Sequence, residues 1–406
     1  MSVTLVQGSD PSLRDREVQR AVDELLDGVD RSLALDDHTI ESRRRGGAGA
    51  ADDDAAADED DEVSTGASLE LPTFAAVVNA LQSPPFMTEC RVVVVREIGN
   101  LTSEQGKWLA VPFGTKIPFD HAEVIEAVGN AANAAVAFAR LGLDSAFVTN
   151  VGADTHGRDM IKALDKNHVD SRFVRINAGK KSNYHYVLWY KEERTILIKH
   201  EEYDYHWPHL RPAETPKWVY FSSISEHAVP YHDQVADWLD EKPDVKLAFQ
   251  PGTFQMEAGT ERLKRIYART EVLVLNREEA ALVGGGNHDD IHDLINHLHE
   301  LGPKIVVLTD GPNGAYASDG QNRFQMPLYP DPAPPIDRTG AGDAFASTFV
   351  AALIKGNTIE GALQWAPINS MSVVQKVGAQ AGLLSEKDLE EFLRKAPDGY
   401  RPTRME

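Results

Sequence analysis

Apolar and polar positions change rhythm several times along this chain. Val3–Val6 is an apolar run of strand length. A helical pattern follows to about Leu26, with Val18, Val22, Leu25 and Leu26 on one face and Asp10 or Ser12 as cap. Phe74–Leu81 predicts another helix, and Arg91–Val95 predicts a strand buried on both faces. Strand, helix, helix and strand make a small α/β unit, expected over residues 1–105. Inside it lies a stretch that no core can use: Arg43, Arg44 and Arg45, a Gly/Ala run, then Asp and Glu alternating with Ala from Ala51 to Val63. Like charges this dense repel and bury nothing, so residues 43–68 are expected to form a disordered loop.

From about Val111 a different pattern sets in. Gly129–Leu141 is an Ala-rich helix, and Ser145–Asn150, Val245–Phe249, Glu271–Leu275 and Lys304–Leu308 are strands, the later ones followed by turn residues and helical patterns. Such alternation predicts an α/β fold over residues 106–406, with a mostly parallel sheet covered by helices on both faces. Asn183–Tyr190 and Thr195–Lys199 alternate around Glu192-Glu-Arg194, which predicts a β-hairpin placed as a lid. Tyr184, His185, Tyr186, Trp189 and Tyr190 crowd one of its strands, and such residues serve either lid packing or stacking on a ligand.

Charge and cysteine content narrow the function classes. The net charge is -22, and residues 1–105 carry 22 acidic against 9 basic side chains. That balance argues against a nucleic-acid partner, which needs an excess of Lys and Arg. A single cysteine, Cys90, rules out an internal disulfide framework and fits a cytoplasmic location. No run approaches the ~20 apolar residues of a membrane span, and no secretory signal opens the chain.

The chemistry concentrates in three turns. In Asp337-Arg-Thr-Gly-Ala-Gly-Asp-Ala-Phe-Ala346, small residues precede a helix expected to open at Asp343 or Ala344 and run to about Ile354. Free N–H groups and the positive end of a helix favour an anion, and a carboxylate in the first turn can take a proton from an attacking hydroxyl. Thr309-Asp-Gly-Pro-Asn-Gly-Ala315 follows one strand, where open α/β sheets bind ligands. Asn276-Arg-Glu-Glu279 follows another and is either a plain helix start or a water-mediated Mg²⁺ site. Gly179-Lys-Lys-Ser182 has the tail of a phosphate-binding loop, but the glycine it requires would fall at Val174.

These motifs resemble the PfkB family of carbohydrate and nucleoside kinases, which includes ribokinase. Besides Asp337–Phe345, the resemblance rests on Gly129-Asn-Ala-Ala-Asn133, Ala139-Arg-Leu-Gly142 and Gly152-Ala-Asp-Thr-His-Gly157. It implies a Rossmann-like core with a β lid, and transfer of the γ-phosphoryl of ATP, with Mg²⁺, to an alcohol of a sugar or nucleoside. Position by position, it makes Asp343 the base and Gly340, Ala341 and Gly342 the anion hole. Asn276 and Glu279 belong to the metal network, and Thr309, Gly311, Gly314 and Asn369 border the nucleotide. Gly129, Asn130 and Asn133 face the substrate, and lids of this family often pair into homodimers.

The first 105 residues resemble something else, the N-terminal domain of the DNA polymerase III delta subunit. That resemblance rests on Val3-Thr-Leu-Val-Gln-Gly8, Leu13-Arg-Asp15, Pro84-Pro-Phe-Met-Thr88, Val92–Val95 and Gly99-Asn-Leu101. It implies protein–protein contacts and no nucleotide site. Family kinases normally begin with a strand and a substrate-binding Asp, and nothing of that kind precedes Val111. Val92–Val95 is therefore expected to take that strand's place, with Glu97 or Asn100 near the substrate. A non-catalytic scaffold or clamp-loader-type interaction protein with an impaired kinase fold stands as the alternative.

Overall fold

The computed structural model describes residues 127–190 and 193–405, the segments 35–39 and 92–96, and positions 20 and 22. The chain divides into two compact units, residues 1–122 and 123–406. In the first, β1 (Leu35–Thr39) and β2 (Val92–Arg96) pair in parallel, Leu35 opposite Val92. Arg20 and Val22 are helical and Val22 is buried, inside the predicted helix. Val3–Val6, Phe74–Leu81, the acidic run and Glu97 and Asn100 lie outside the described residues. Within this unit Val92–Arg96 belongs to a two-stranded sheet with Leu35–Thr39, a pairing the sequence did not predict.

The second unit runs through α1 (Asn130–Arg140), β3 (Thr149–Gly152), α2 (Thr155–Lys166) and β4 (Val174–Asn177) to the hairpin β5 (Tyr184–Tyr190) and β6 (Glu193–Lys199). Then come β7 (Trp218–Phe221), α3 (Val229–Asp240), β8 (Lys246–Phe249), α4 (Thr253–Ala258), α5 (Lys264–Arg269) and β9 (Thr270–Asn276). The rest is α6 (Arg277–Gly284), α7 (Ile291–Glu300), β10 (Ile305–Thr309), β11 (Ala315–Ser318), β12 (Arg323–Met326), α8 (Ala341–Ile354), α9 (Ile359–Val374), α10 (Glu386–Arg394) and β13 (Thr403–Arg404). The seven-stranded sheet has the order β13-β12-β11-β10-β9-β8-β7. Strands β7 to β10 are parallel, and β11 to β13 extend that core antiparallel.

Helices cover both faces because the middles of the central strands, Leu247–Phe249, Val272–Leu275 and Ile305–Leu308, are continuously apolar and not apolar only at alternate positions. Successive side chains of a strand point to opposite faces. In β9, Leu273 and Leu275 pack with Val235, Leu239, Leu294 and Leu298, whereas Val272 and Val274 pack with Phe349, Val350, Leu363 and Ile368. β10 repeats the division, Val306 and Leu308 against Val307. A Leu-to-Ala change at such a wholly buried position costs about 2–5 kcal/mol. Helix α8 is enclosed almost throughout, from Asp343 to Ala352, so its N-terminus is placed by the core and not by solvent.

The expected strand Ser145–Asn150 is shorter and later. Ala146 makes only an isolated bridge to Asp170, and β3 proper pairs Thr149–Gly152 with β4. No helix among the described residues is long and apolar enough to cross a membrane.

Candidate active site

The carboxyl ends of β8, β9 and β10 and the N-terminus of α8 meet where the sequence places its chemistry. Helix α8 opens at Ala341, two residues before the expected Asp343, because Gly340 takes the left-handed conformation at φ 82° and acts as its N-cap. A side chain is excluded there twice over, since a Cβ on Gly340 would lie 2.4 Å from Ala379 Cβ. Gly342 faces open space. The buried Asp337 fixes this turn: its carboxylate accepts from Thr339 N at 2.8 Å and from Gly378 N at 2.9 Å. Ser370 Oγ donates to Ala341 O at 3.0 Å and Ser347 Oγ to Asp343 O at 2.6 Å.

Asp343 is 9% exposed and is held by side-chain amides. Asn133 Nδ2 donates to Oδ2 at 2.8 Å, and Asn130 Nδ2 donates to Oδ1 at 3.2 Å. Both come from α1, whose Ala-rich face lets it pack closely on α8. Gln250 Nε2, just beyond β8, reaches Oδ1 at 3.4 Å. A further amide orients Asn133: Gln380 Nε2 donates to Asn133 Oδ1 at 3.0 Å and to Ala127 O at 2.8 Å. Gly129 caps α1 with extended ψ and positive φ, 130°.

Asn276 and Glu279 form a capping box at the head of α6. Asn276 Oδ1 accepts from Glu279 N at 2.7 Å, and Glu279 Oε2 accepts from Asn276 N at 2.9 Å. Burial pushes the Glu279 carboxyl above its ordinary range, and the charges of Glu278 and Asp343 add to the shift against the lowering bond from Asn276. At the end of β10, Thr309 leads into a tight turn in which Asp310 N donates to Gly314 O at 2.9 Å. Gly314 has φ 89°, and a Cβ on it would lie 2.1 Å from Met326 O. Arg277 clamps this turn to α6 through a 2.8 Å ion pair with Asp310.

Asn369 stands apart from the rest. It is fully buried in α9, donating to Thr348 Oγ1 at 2.8 Å and accepting from Leu384 N at 2.9 Å, so its amide is engaged inside the protein. In the lid, Tyr184 and Tyr186 are exposed, and His185 faces His200, which in turn meets Phe254, with ring centroids 5.5 and 5.6 Å apart. Gln250 and Gln380 are engaged through partners far along the chain, which no local pattern shows.

Residues 121–387 match the pfkB family of carbohydrate kinases, and the chain belongs to that family. It is 29% identical over 262 residues to the ATP-dependent 6-phosphofructokinase of Thermoanaerobacterium thermosaccharolyticum, covering 62% of this chain and 80% of that protein. Ribokinase of Bacillus subtilis is 28% identical over 281 residues, with 65% and 87% covered. In fold, the chain is similar to Arabidopsis thaliana ribokinase complexed with ribose and ATP, with a TM-score of 0.58 at 22% identity, over 69% of this chain and 93% of that one. The chain is accordingly a carbohydrate-kinase-family phosphotransferase that uses ATP.

Proposed function

We propose that this enzyme transfers the γ-phosphoryl of ATP to an alcohol of a small sugar or nucleoside, with Asp343 as general base. The observation that carries this reading is a buried carboxylate in the first turn of α8, held at both oxygens by amides of α1 and of Gln250 just beyond β8. The acceptor hydroxyl gives its proton to Asp343 as its oxygen bonds to phosphorus, and the bond to the ADP oxygen breaks. Backbone N–H groups of Gly340, Ala341 and Gly342 stabilise the charge that develops, since the first turn of a helix leaves such donors without intrahelical acceptors. Positioning and charge stabilisation supply most of phosphoryl-transfer catalysis, which suits a site with little covalent work to do.

Gly129, Asn130 and Asn133 line the acceptor side in this reading, and Thr309, Gly311 and Gly314 border the nucleotide. Asn369 acts from within the core, holding α9 against α8. The donors at the head of α6 fit Mg²⁺, since Asn276 and Glu279 place a hard amide oxygen and a carboxylate side by side in the capping box. Bound Mg²⁺ would neutralise phosphate charge.

A scaffold would have no use for this buried carboxylate, which argues against the non-catalytic reading. The exposed Tyr184, Tyr186 and Ile198 on the lid support a homodimer formed there. The location is proposed to be cytoplasmic, and the first 105 residues to be a delta-like contact module joined to a kinase domain that lacks the usual first strand. Incubation with Mg-ATP and pooled sugars, sugar phosphates and nucleosides, followed by phosphorus NMR, tests the reading. A new phosphate ester from one pool supports it, and none from any pool overturns it.

A further inference from the structure

We propose that Tyr220 and Gln250 form a positioning relay that aims the Asp343 carboxylate at the acceptor hydroxyl. This rests on the reading of Asp343 as the base. Gln250 is the residue after β8, and its backbone N–H donates to Phe221 O of β7 at 2.9 Å, continuing the ladder between the two strands. Its side chain is therefore launched from a fixed point. One end of the amide, Nε2, faces Asp343 Oδ1, while Oε1 accepts from the hydroxyl of Tyr220 in β7.

The order of these bonds is forced. An ionised carboxylate only accepts, so the amide must turn its nitrogen to Asp343 and its oxygen to Tyr220. The phenol must then donate. Burial foremost, and the charge of Asp343 after it, push the Tyr220 hydroxyl well above its ordinary pKa, so it keeps its proton. The ring itself is held edge-on by Phe138 of α1, with centroids 5.4 Å apart. That helix also supplies Asn130 and Asn133, so both arms that grip Asp343 share one support.

Among the groups that face Asp343 are Asn130 and Asn133 from α1, Gln250 from the end of β8, and Ser347, which bonds its carbonyl; Glu279 acts through its charge. Gln250 is the one tethered to the sheet through Tyr220. Its 3.4 Å contact is long for a charge-assisted bond, and bonds of this kind shorten in the working complex. The other arm ends in Gln380, which fixes the Asn133 amide in the same manner.

The test is a double-mutant cycle on kcat with Tyr220→Phe, Gln250→Met and the pair, beside wild type and Asp343→Asn. The expected result is a drop of about tenfold for each single change, with KM for ATP unchanged. The pair should fall no further than Gln250→Met alone, because residues in one network are not additive. The same cycle read by thermal unfolding should show coupling of the two side chains, and it confirms that the variants fold. An active wild type and inactive Asp343→Asn, with single changes within twofold or losses that multiply, would overturn the relay alone. A wild type no faster than Asp343→Asn would overturn the base and the relay together.

Discussion

Asn133 and Asp343, 210 residues apart in sequence, are joined by a 2.8 Å hydrogen bond from Nδ2 to Oδ2. The bond ties the second turn of α1 to the first turn of α8. It gives the site a shape that neither motif has alone. A second carboxylate at this distance could not stay ionised beside the first. Asn133→Asp is expected to lower kcat by about 10²–10³-fold, within the range spanned by general-base catalysis. Steady-state kinetics on the folded variant check this, and a change under threefold would detach Asn133 from the base.

Gly340 is expected to tolerate no side chain. Left-handed backbone and the 2.4 Å approach to Ala379 act together, so Gly340→Ala should cost about 2–5 kcal/mol and abolish turnover. Thermal unfolding measures the first part and an ADP-release assay the second. Gly342→Ala, where a Cβ meets open space, is the contrast and should keep the fold.

Glu279 gives a pH-dependent prediction. Its carboxyl is raised in the folded protein, mainly by burial. Its contribution to stability is therefore fully present below the unfolded pKa and lost as pH rises through the folded value. Without metal, Glu279→Gln should gain stability relative to wild type as pH climbs from about 4 toward neutrality, given the ordinary Glu pKa. Mg-ADP should raise the wild-type Tm more than that of the variant. Parallel melts across pH, with and without Mg-ADP, check both.

Asn369→Ala should act on the fold and not on the nucleotide. It leaves Thr348 Oγ1 and Leu384 N short of a partner, at a cost of about 2–4 kcal/mol. KM for ATP should stay within about twofold at a temperature where the variant is folded.

Local signals carried far in this chain. The Ala-rich run at Gly129, the apolar strands at Val245, Glu271 and Lys304, and the glycine turn before Asp343 each have a period or a small-residue pattern readable in one window. The hairpin of β5 and β6 was readable for the same reason, by its alternation. What stayed hidden is what depends on tertiary register. Gln250 meets Asp343 across 93 residues, and Gln380 meets Asn133 across 247. No propensity encodes either contact. β11 to β13 are four, four and two residues long, and their mixed polar pattern offers little period to read. The pairing of Val92–Arg96 with Leu35–Thr39 went unforeseen because Leu35-Asp-Asp-His-Thr39 is mostly polar and reads as a loop. Asn369, which the family resemblance puts beside the nucleotide, has its side-chain amide bonded to Thr348 and Leu384, contacts that no local pattern shows.

The most direct measurement is the initial rate of ADP release from Mg-ATP by the whole chain and by Asp343→Asn, with pooled sugars, sugar phosphates and nucleosides as acceptors. The account predicts acceptor-dependent release by the wild type with one pool, and a loss of about 10²–10⁴-fold in the variant, as befits removal of a general base. Equal rates in the two proteins, or no acceptor-dependent release with any pool, would contradict it.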